Sequence, residues 1–141
     1  MIILDTNVIS ELMDRTPAPA VVAWVDHQPA DQLITTSVCF MEIRAGVEKF
    51  QSGRRRNELA DLANWAVDEM MGGRIVNFDR KAAHEAAAWH ALCRRSGRTI
   101  ETRDAMIAGI AKARRIPIAT RNVRHFEGLG VRIVNPWLYG R

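Results

Sequence analysis

The sequence predicts an α/β fold, a small parallel sheet with helices on both faces. Three observations carry that expectation. Short runs of β-forming residues alternate along the chain with longer stretches of helical apolar periodicity, the pattern of strand–helix–strand units. The first such run, Ile2-Ile3-Leu4, stops on a carboxylate, Asp5, and two small polar residues, Thr6 and Asn7; open α/β sheets keep their chemistry just beyond the carboxyl ends of strands. A length of 141 residues with 48% hydrophobic and 26% charged content allows one domain over 1–141 with a sizeable core, and argues against disorder.

Element by element, Ile2–Leu4 reads as the first strand, and Ala18–Asp26 as a short helix after a proline-rich turn. Leu33–Thr35 reads as the second strand. Val38–Phe50 is helical, and Arg54–Met70 is a further helix stopped by Gly72-Gly73. Ile75–Asn77 is a short strand. Arg80–Arg95 is an alanine-rich helix ended at Ser96-Gly97, and Arg103–Arg114 is another. Ile116–Ala119 and Val131–Val134 supply the last two strands. No repeat, low-complexity tract or linker interrupts this order.

No apolar run approaches membrane-spanning length, and no signal-peptide pattern precedes the first strand. Cys39 and Cys93 sit in apolar helical surroundings and read as buried thiols of a reducing compartment, so the cytoplasm is the expected location. The balance is basic, 20 Lys+Arg against 16 Asp+Glu. Gathering several acids at one site leaves the rest of the surface more basic still, which favours an anionic partner such as nucleic acid. An ordinary basic protein would show the same balance.

Most acids lie where surface acids belong, and three do not. Asp5 follows Ile2-Ile3-Leu4, Glu42 sits inside Val38-Cys39-Phe40-Met41-Glu42-Ile43, and Asp104 precedes Ala105-Met106-Ile107-Ala108-Gly109-Ile110-Ala111. The next-turn neighbours of Glu42 are Ala45 and Gly46, and those of Asp104 are Ile107 and Ala108, so neither has a cation at helical spacing. Burying an unpaired charge is costly, and three clustered carboxylates repel one another until some take up protons. A shared hard cation, Mg²⁺ or Mn²⁺, resolves the conflict, because it prefers carboxylate oxygen and water. Each acid also has a plainer explanation: Asp5 as a helix N-cap, Glu42 as a partly exposed helix residue, Asp104 as an acid favoured at a helix N-terminus. The small residues Ala105, Ala108 and Gly109 would let their helix approach the sheet and carry Asp104 toward the first strand.

Five blocks in order carry a resemblance. They are Asp5-Thr6-Asn7-Val8-Ile9-Ser10-Glu11, Met41-Glu42-Ile43-Arg44-Ala45-Gly46-Val47, Asp104-Ala105-Met106-Ile107-Ala108, Ala119-Thr120-Arg121-Asn122-Val123-Arg124-His125-Phe126 and Val134-Asn135-Pro136-Trp137. Together they resemble the PIN-domain ribonucleases, in the VapC/FitB-like toxin branch of type II toxin–antitoxin systems. The resemblance implies a PIN-like α/β/α sandwich around a small parallel sheet. It also implies metal-dependent hydrolysis of RNA phosphodiester bonds, a homodimer, and a cognate DNA-binding antitoxin of the VapB/FitA kind. Carried over by position, Asp5, Glu42 and Asp104 are the catalytic acids. Asp5 and Asp104 are the direct metal ligands, with Glu42 completing the site directly or through water. Thr6 and Thr120 are candidates to hydrogen-bond the cluster, although both also suit caps and turns. Many relatives carry a fourth acid where this chain has Asn122. An amide oxygen can ligate a hard cation or hold a water but adds no charge, which weakens the case for a second metal and leaves the number of ions, one or two, open.

Arg121, Arg124 and His125 follow a strand end on the side of the carboxylates and could meet RNA phosphates or simply be solvated loop charges. Arg54-Arg55-Arg56 reads as a solvated helix end or a contact for an acidic partner. His84 and His90 are six apart, the wrong spacing for a paired zinc site on one helical face. Trp24, Trp65, Trp89 and Trp137 read as core or interface anchors. Three functions compete: a metal-dependent endoribonuclease, a phosphotransferase with Asp5 as nucleophile, and a catalytically silent module that binds nucleic acid or a partner. The second wants another acid at position 7, where the chain has Asn7.

Overall fold

The computed structural model describes all of residues 1–141. Five strands, β1 (Ile2–Leu4), β2 (Leu33–Thr36), β3 (Ile75–Val76), β4 (Ile118–Ala119) and β5 (Ile133–Val134), form one sheet in the order β3-β2-β1-β4-β5. Every pairing is parallel. The six helices are α1 (Thr6–Leu12), α2 (Pro19–Asp26), α3 (Ser37–Glu48), α4 (Arg54–Asn64), α5 (Arg80–Arg95) and α6 (Thr102–Arg114). This is the α/β/α arrangement expected from the sequence.

Strand period explains the two layers. Adjacent residues of a strand point to opposite faces. Ile2, Leu4, Leu33 and Ala119 join one core, with Val8, Ile9, Val21, Trp24 and Met71. Ile3, Ile34 and Ile118 join the other, with Trp89, Ile107, Ile110 and Phe126. Each strand residue of β1 is buried, as a central strand covered on both faces requires.

The helices start where side chains can cap them. Asp5 caps α1, Thr36 Oγ1 accepts the Cys39 N–H at 3.0 Å at the start of α3, and Asp79 Oδ1 accepts the Ala82 N–H at 2.9 Å at the start of α5. Helices α5 and α6 pack closely because Gly109 has no side chain. A Cβ there would strike the Ala82 carbonyl oxygen and come within 2.7 Å of Ala86 Cβ.

Several boundaries differ from the sequence expectation. The seven-residue helix α1 was not foreseen as an element; too short for a periodic signal, it is held by its cap and by Val8 and Ile9 in the core. The stretch expected as one helix over Arg54–Met70 changes at Trp65 into a wider π-type turn through Met70, which buries Ala66 and Val67. The last two strands are shorter than expected. Pro117 and Arg132 precede them, and their carbonyls accept the N–H groups of Ile3 and Ile118.

Strand order decides where a site can form. From β1 the chain builds outward through β2 and β3, then returns to add β4 and β5 on the other side. The crevice at such a reversal, beyond the carboxyl ends of β1 and β4, is where open α/β sheets bind ligands. Asp5 follows β1 and Thr120 follows β4.

Candidate acidic site

Asp5 leaves β1 in extended conformation, caps α1 and is 4% exposed. Its Oδ1 accepts the Thr6 N–H at 2.8 Å. Its Oδ2 accepts the Thr120 hydroxyl at 2.7 Å and the Asn7 amide at 3.3 Å. The Cys39 thiol lies 3.8 Å from Oδ1. Burial first, and the Asp5 charge second, push that thiol up to about 11, so it stays protonated and able to donate. The cap and the site corner are therefore one residue doing both jobs.

Glu42 comes in from α3. Its Oε1 accepts the Thr6 hydroxyl at 2.8 Å, and its Oε2 is 2.7 Å from Arg103 Nη1. Asp104 stands in the first turn of α6, 4% exposed, where the helix N-terminus favours an acid. His125 Nδ1 is 2.8 Å from its Oδ2, and Arg103 Nε is 3.9 Å from its Oδ1. Burial raises both carboxyls above the usual range. The Thr6 hydroxyl and Arg103 offset part of this at Glu42, as His125 and Arg103 do at Asp104, while the Asp5 charge adds to it at both.

Thr120 is the hub of the far wall and is fully buried. While donating to Asp5, its Oγ1 accepts the Asn7 amide at 3.2 Å and the Asn122 N–H at 3.0 Å. Asn7 Oδ1 in turn accepts the Arg121 N–H at 3.2 Å. The Arg121 guanidinium stacks on Trp137, 5.1 Å from the ring centre, so this arginine is engaged by the C-terminal segment. The Asn122 side chain is exposed at the rim.

The structure thus brings Asp5, Glu42, Asp104, Thr6 and Thr120 to one crevice. It corrects one sequence inference: Glu42 and Asp104 do have a local cation. Arg103 stands one residue before Asp104, outside the i+3 and i+4 spacing that identifies helical ion pairs, and it also reaches Glu101 at 3.3 Å. Asn7 and Cys39 were missed as members of the site. Asn7 reaches Asp5 from two residues further along, in the first turn of α1, whereas Cys39 is brought to it from the start of α3, a meeting no spacing rule finds.

The donor set tests the expectation of a hard cation. It is all oxygen, from carboxylates and hydroxyls, as a hard cation prefers, and two of its three acids are raised by burial. Arg103 supplies a fixed positive charge, and in this arrangement no three acidic, histidine or cysteine side chains gather about one point. In donor chemistry and charge the residues fit Mg²⁺ or Mn²⁺.

Comparison with known proteins bears on the family and the fold. The PIN domain family model matches residues 2–130. VapC ribonuclease Y4jK of Sinorhizobium fredii is 37% identical over 137 residues, covering 97% of this chain and 98% of that protein. Toxin FitB of Neisseria gonorrhoeae is 33% identical, covering 97% and 99%. A solved structure of FitAB bound to an IR36 DNA fragment superposes with a TM-score of 0.90 at 32% identity, covering 100% of this chain and 99% of that one.

Proposed function

This chain belongs to the PIN-domain family, and from that premise we propose that it is the toxin of a type II toxin–antitoxin pair, a metal-dependent endoribonuclease. The observation that carries the reading is that Asp5, Glu42 and Asp104, after β1, in α3 and in α6, border the crevice where the strand order reverses and are linked through Thr6 and Arg103. Similarity to a VapC ribonuclease and to toxin FitB supports it.

Asp5 and Asp104 would hold Mg²⁺ or Mn²⁺, with Glu42 joining directly or through water. When bound, such an ion polarises the scissile phosphate and lowers the pKa of water. The chain's own residues do the rest. Thr120, Asn7 and the Thr6 N–H fix the orientation of Asp5, and the Thr6 hydroxyl fixes Glu42. A carboxyl raised above its usual range, as Glu42 is, suits a group that takes a proton from an attacking water. Arg124 and His125, both exposed, would meet phosphate oxygens in this reading. Asn122 contributes no charge there, which favours one ion over two. In-line attack would leave a 3′-hydroxyl and a 5′-phosphate.

The partners follow from the same premise: a second copy of the chain, and an antitoxin of the VapB/FitA kind that binds DNA, as the FitAB–DNA complex supports. No helix is long and apolar enough to cross a membrane, and a cytoplasmic location is part of the proposal. The test is purified, antitoxin-free protein on structured RNA. Cleavage with Mg²⁺ or Mn²⁺, stopped by EDTA, is expected; metal-independent cleavage overturns the metal. Asn122 favours one alternative, a silent PIN-like module, which RNA binding without turnover under any metal would establish.

A further inference from the structure

At the opposite edge of the sheet, the amino ends of β4 and β5 open into a cleft of about 480 Å³. Lys81 from α5, Lys112 from α6, and Arg115 and Arg132 from the two strand approaches line it, with Pro117 at its floor and Glu85 as its one carboxylate. None of the four cations lies within ion-pair distance of an acid. Lys112 donates to the Leu129 carbonyl, and sits in the last turn of α6, where a helix favours a cation. Arg115, the C-cap of the same helix, shares that explanation, and Lys81 and Arg132 do not. Lys81 lies in the first turn of α5, where the helix dipole opposes a positive charge, and Arg132 lies beside a strand. Four cations against one carboxylate leave the cleft with an excess of positive charge that favours an anion.

The cleft is connected to the acidic crevice by the chain itself. Residues 120–132 run from one to the other and carry Arg121, Arg124, His125 and Arg132 against a single acid, Glu127. Pro117 and Thr120 flank the buried β4, roughly 10 Å apart through the sheet, and a path over the surface between the two sites is longer. That is the span of a few nucleotides, and a phosphate backbone is the polyanion whose charges repeat along such a track.

We propose that this cleft is a second RNA contact, an anchoring site that grips backbone phosphates a few nucleotides from the bond to be cut. The choice of RNA rests on the ribonuclease reading. The site adds affinity without reading sequence, because its groups are charges suited to phosphate and not to base edges.

The experiment is fluorescence anisotropy with a labelled single-stranded RNA 20-mer in EDTA, using Asp5→Asn protein so that the probe survives. The variant is Lys81→Glu with Arg132→Glu. Both side chains are exposed, and a Glu in the first turn of α5 favours the helix, so circular dichroism should stay unchanged. Affinity should fall about tenfold or more, and the slope of log K against log salt should become shallower by about 1.4, two phosphates at about 0.7 each. The control is Lys49→Glu with Arg95→Glu, the same change of net charge on exposed residues elsewhere, which should cost far less. Unchanged affinity in the cleft variant, or an equal loss in the control, overturns the proposal. So does unchanged RNA affinity with lost binding to polyglutamate, which would make the cleft a protein contact. Cleavage by wild type that persists in Asp5→Asn would instead sink the ribonuclease reading, a result this binding measurement does not depend on.

Discussion

At the carboxyl ends of β1 and β4, Asp5 is buried and accepts hydrogen bonds from Thr6, Asn7 and Thr120. At the amino ends of β4 and β5, Lys81, Arg115 and Arg132 face solvent with no carboxylate in ion-pair range. One edge of the sheet is negative, crowded and fixed; the other is positive, open and loose. Fixed groups in a low-dielectric crevice act over one bond length, where small displacements change the chemistry. Solvated cations act over a Debye length, about 10 Å at 0.1 M salt, and tolerate imprecision. The two edges are thus suited to different tasks, positioning on one side and attraction on the other, and α6 spans both, with Asp104 at its start and Lys112 near its end.

The sharpest way to break this contrast is Asp5→Asn. Asn caps a helix as well as Asp, so α1 should persist and thermal unfolding should move little. RNA cleavage should fall about 100-fold or more, at least the top of the range for groups that merely support a metal ligand. Full activity in that variant would remove the acidic edge from the chemistry. Thr120→Val comes next. It keeps the side-chain shape but strips the Asp5 Oδ2 of its 2.7 Å donor. Activity and Mn²⁺ affinity should drop roughly 10- to 100-fold, measured by single-turnover cleavage and titration calorimetry. An unchanged affinity would mean that Asp5 needs no fixing.

Gly109→Val strikes the helix shared by both edges. The new side chain meets the Ala82 carbonyl and Ala86, so stability should fall by about 1–3 kcal/mol, read from urea unfolding. Acid titration separates the edges more gently. Glu42 and Asp104 have folded values raised by burial above the ordinary 4.5 and 3.8. For a raised group, the stability contribution is complete below the unfolded value and is lost as pH rises through the folded one. The metal-free protein should therefore gain stability from these two groups as pH falls from neutral through that window. Cleavage should decline over the same window, because protonated carboxyls do not hold a cation. Parallel slopes for melting temperature and activity would contradict the assignment. The smallest effect belongs to Arg114→Ala, which breaks the exposed pair with Asp79. The melting temperature should barely move, because exposed ion pairs contribute little; a clear drop would show that the open edge is stiffer than its exposure implies.

Legibility in the sequence followed the range of the interaction. Ile2–Leu4 and Arg80–Arg95 were readable to the residue, since strand composition and helical periodicity with a clear stop are local signals. So was the oddity of Asp5, Glu42 and Asp104, each set against apolar neighbours. Helix α1 was hidden because seven residues make less than two full apolar turns. Arg103 was hidden because its tie to Glu42 crosses from α6 to α3, and adjacency to Asp104 is no helical ion-pair spacing. Asn7 read only as a small polar residue after Asp5, because its tie to Thr120 exists only once β4 lies beside β1. The basic edge was visible only as net charge, because the four cations of the cleft come from three separate stretches of chain.

The bond from Thr120 to Asp5 joins residues 115 apart. Contacts of such separation form late, since the loop must close before they can reward it. A chain still being synthesised, with β1 and its first helices already out, has the carboxylate but not the hydroxyl that aims it. The enzyme proposed here would thus be inert throughout most of its own translation, and would acquire its acidic edge only when the fourth strand slots in beside the first.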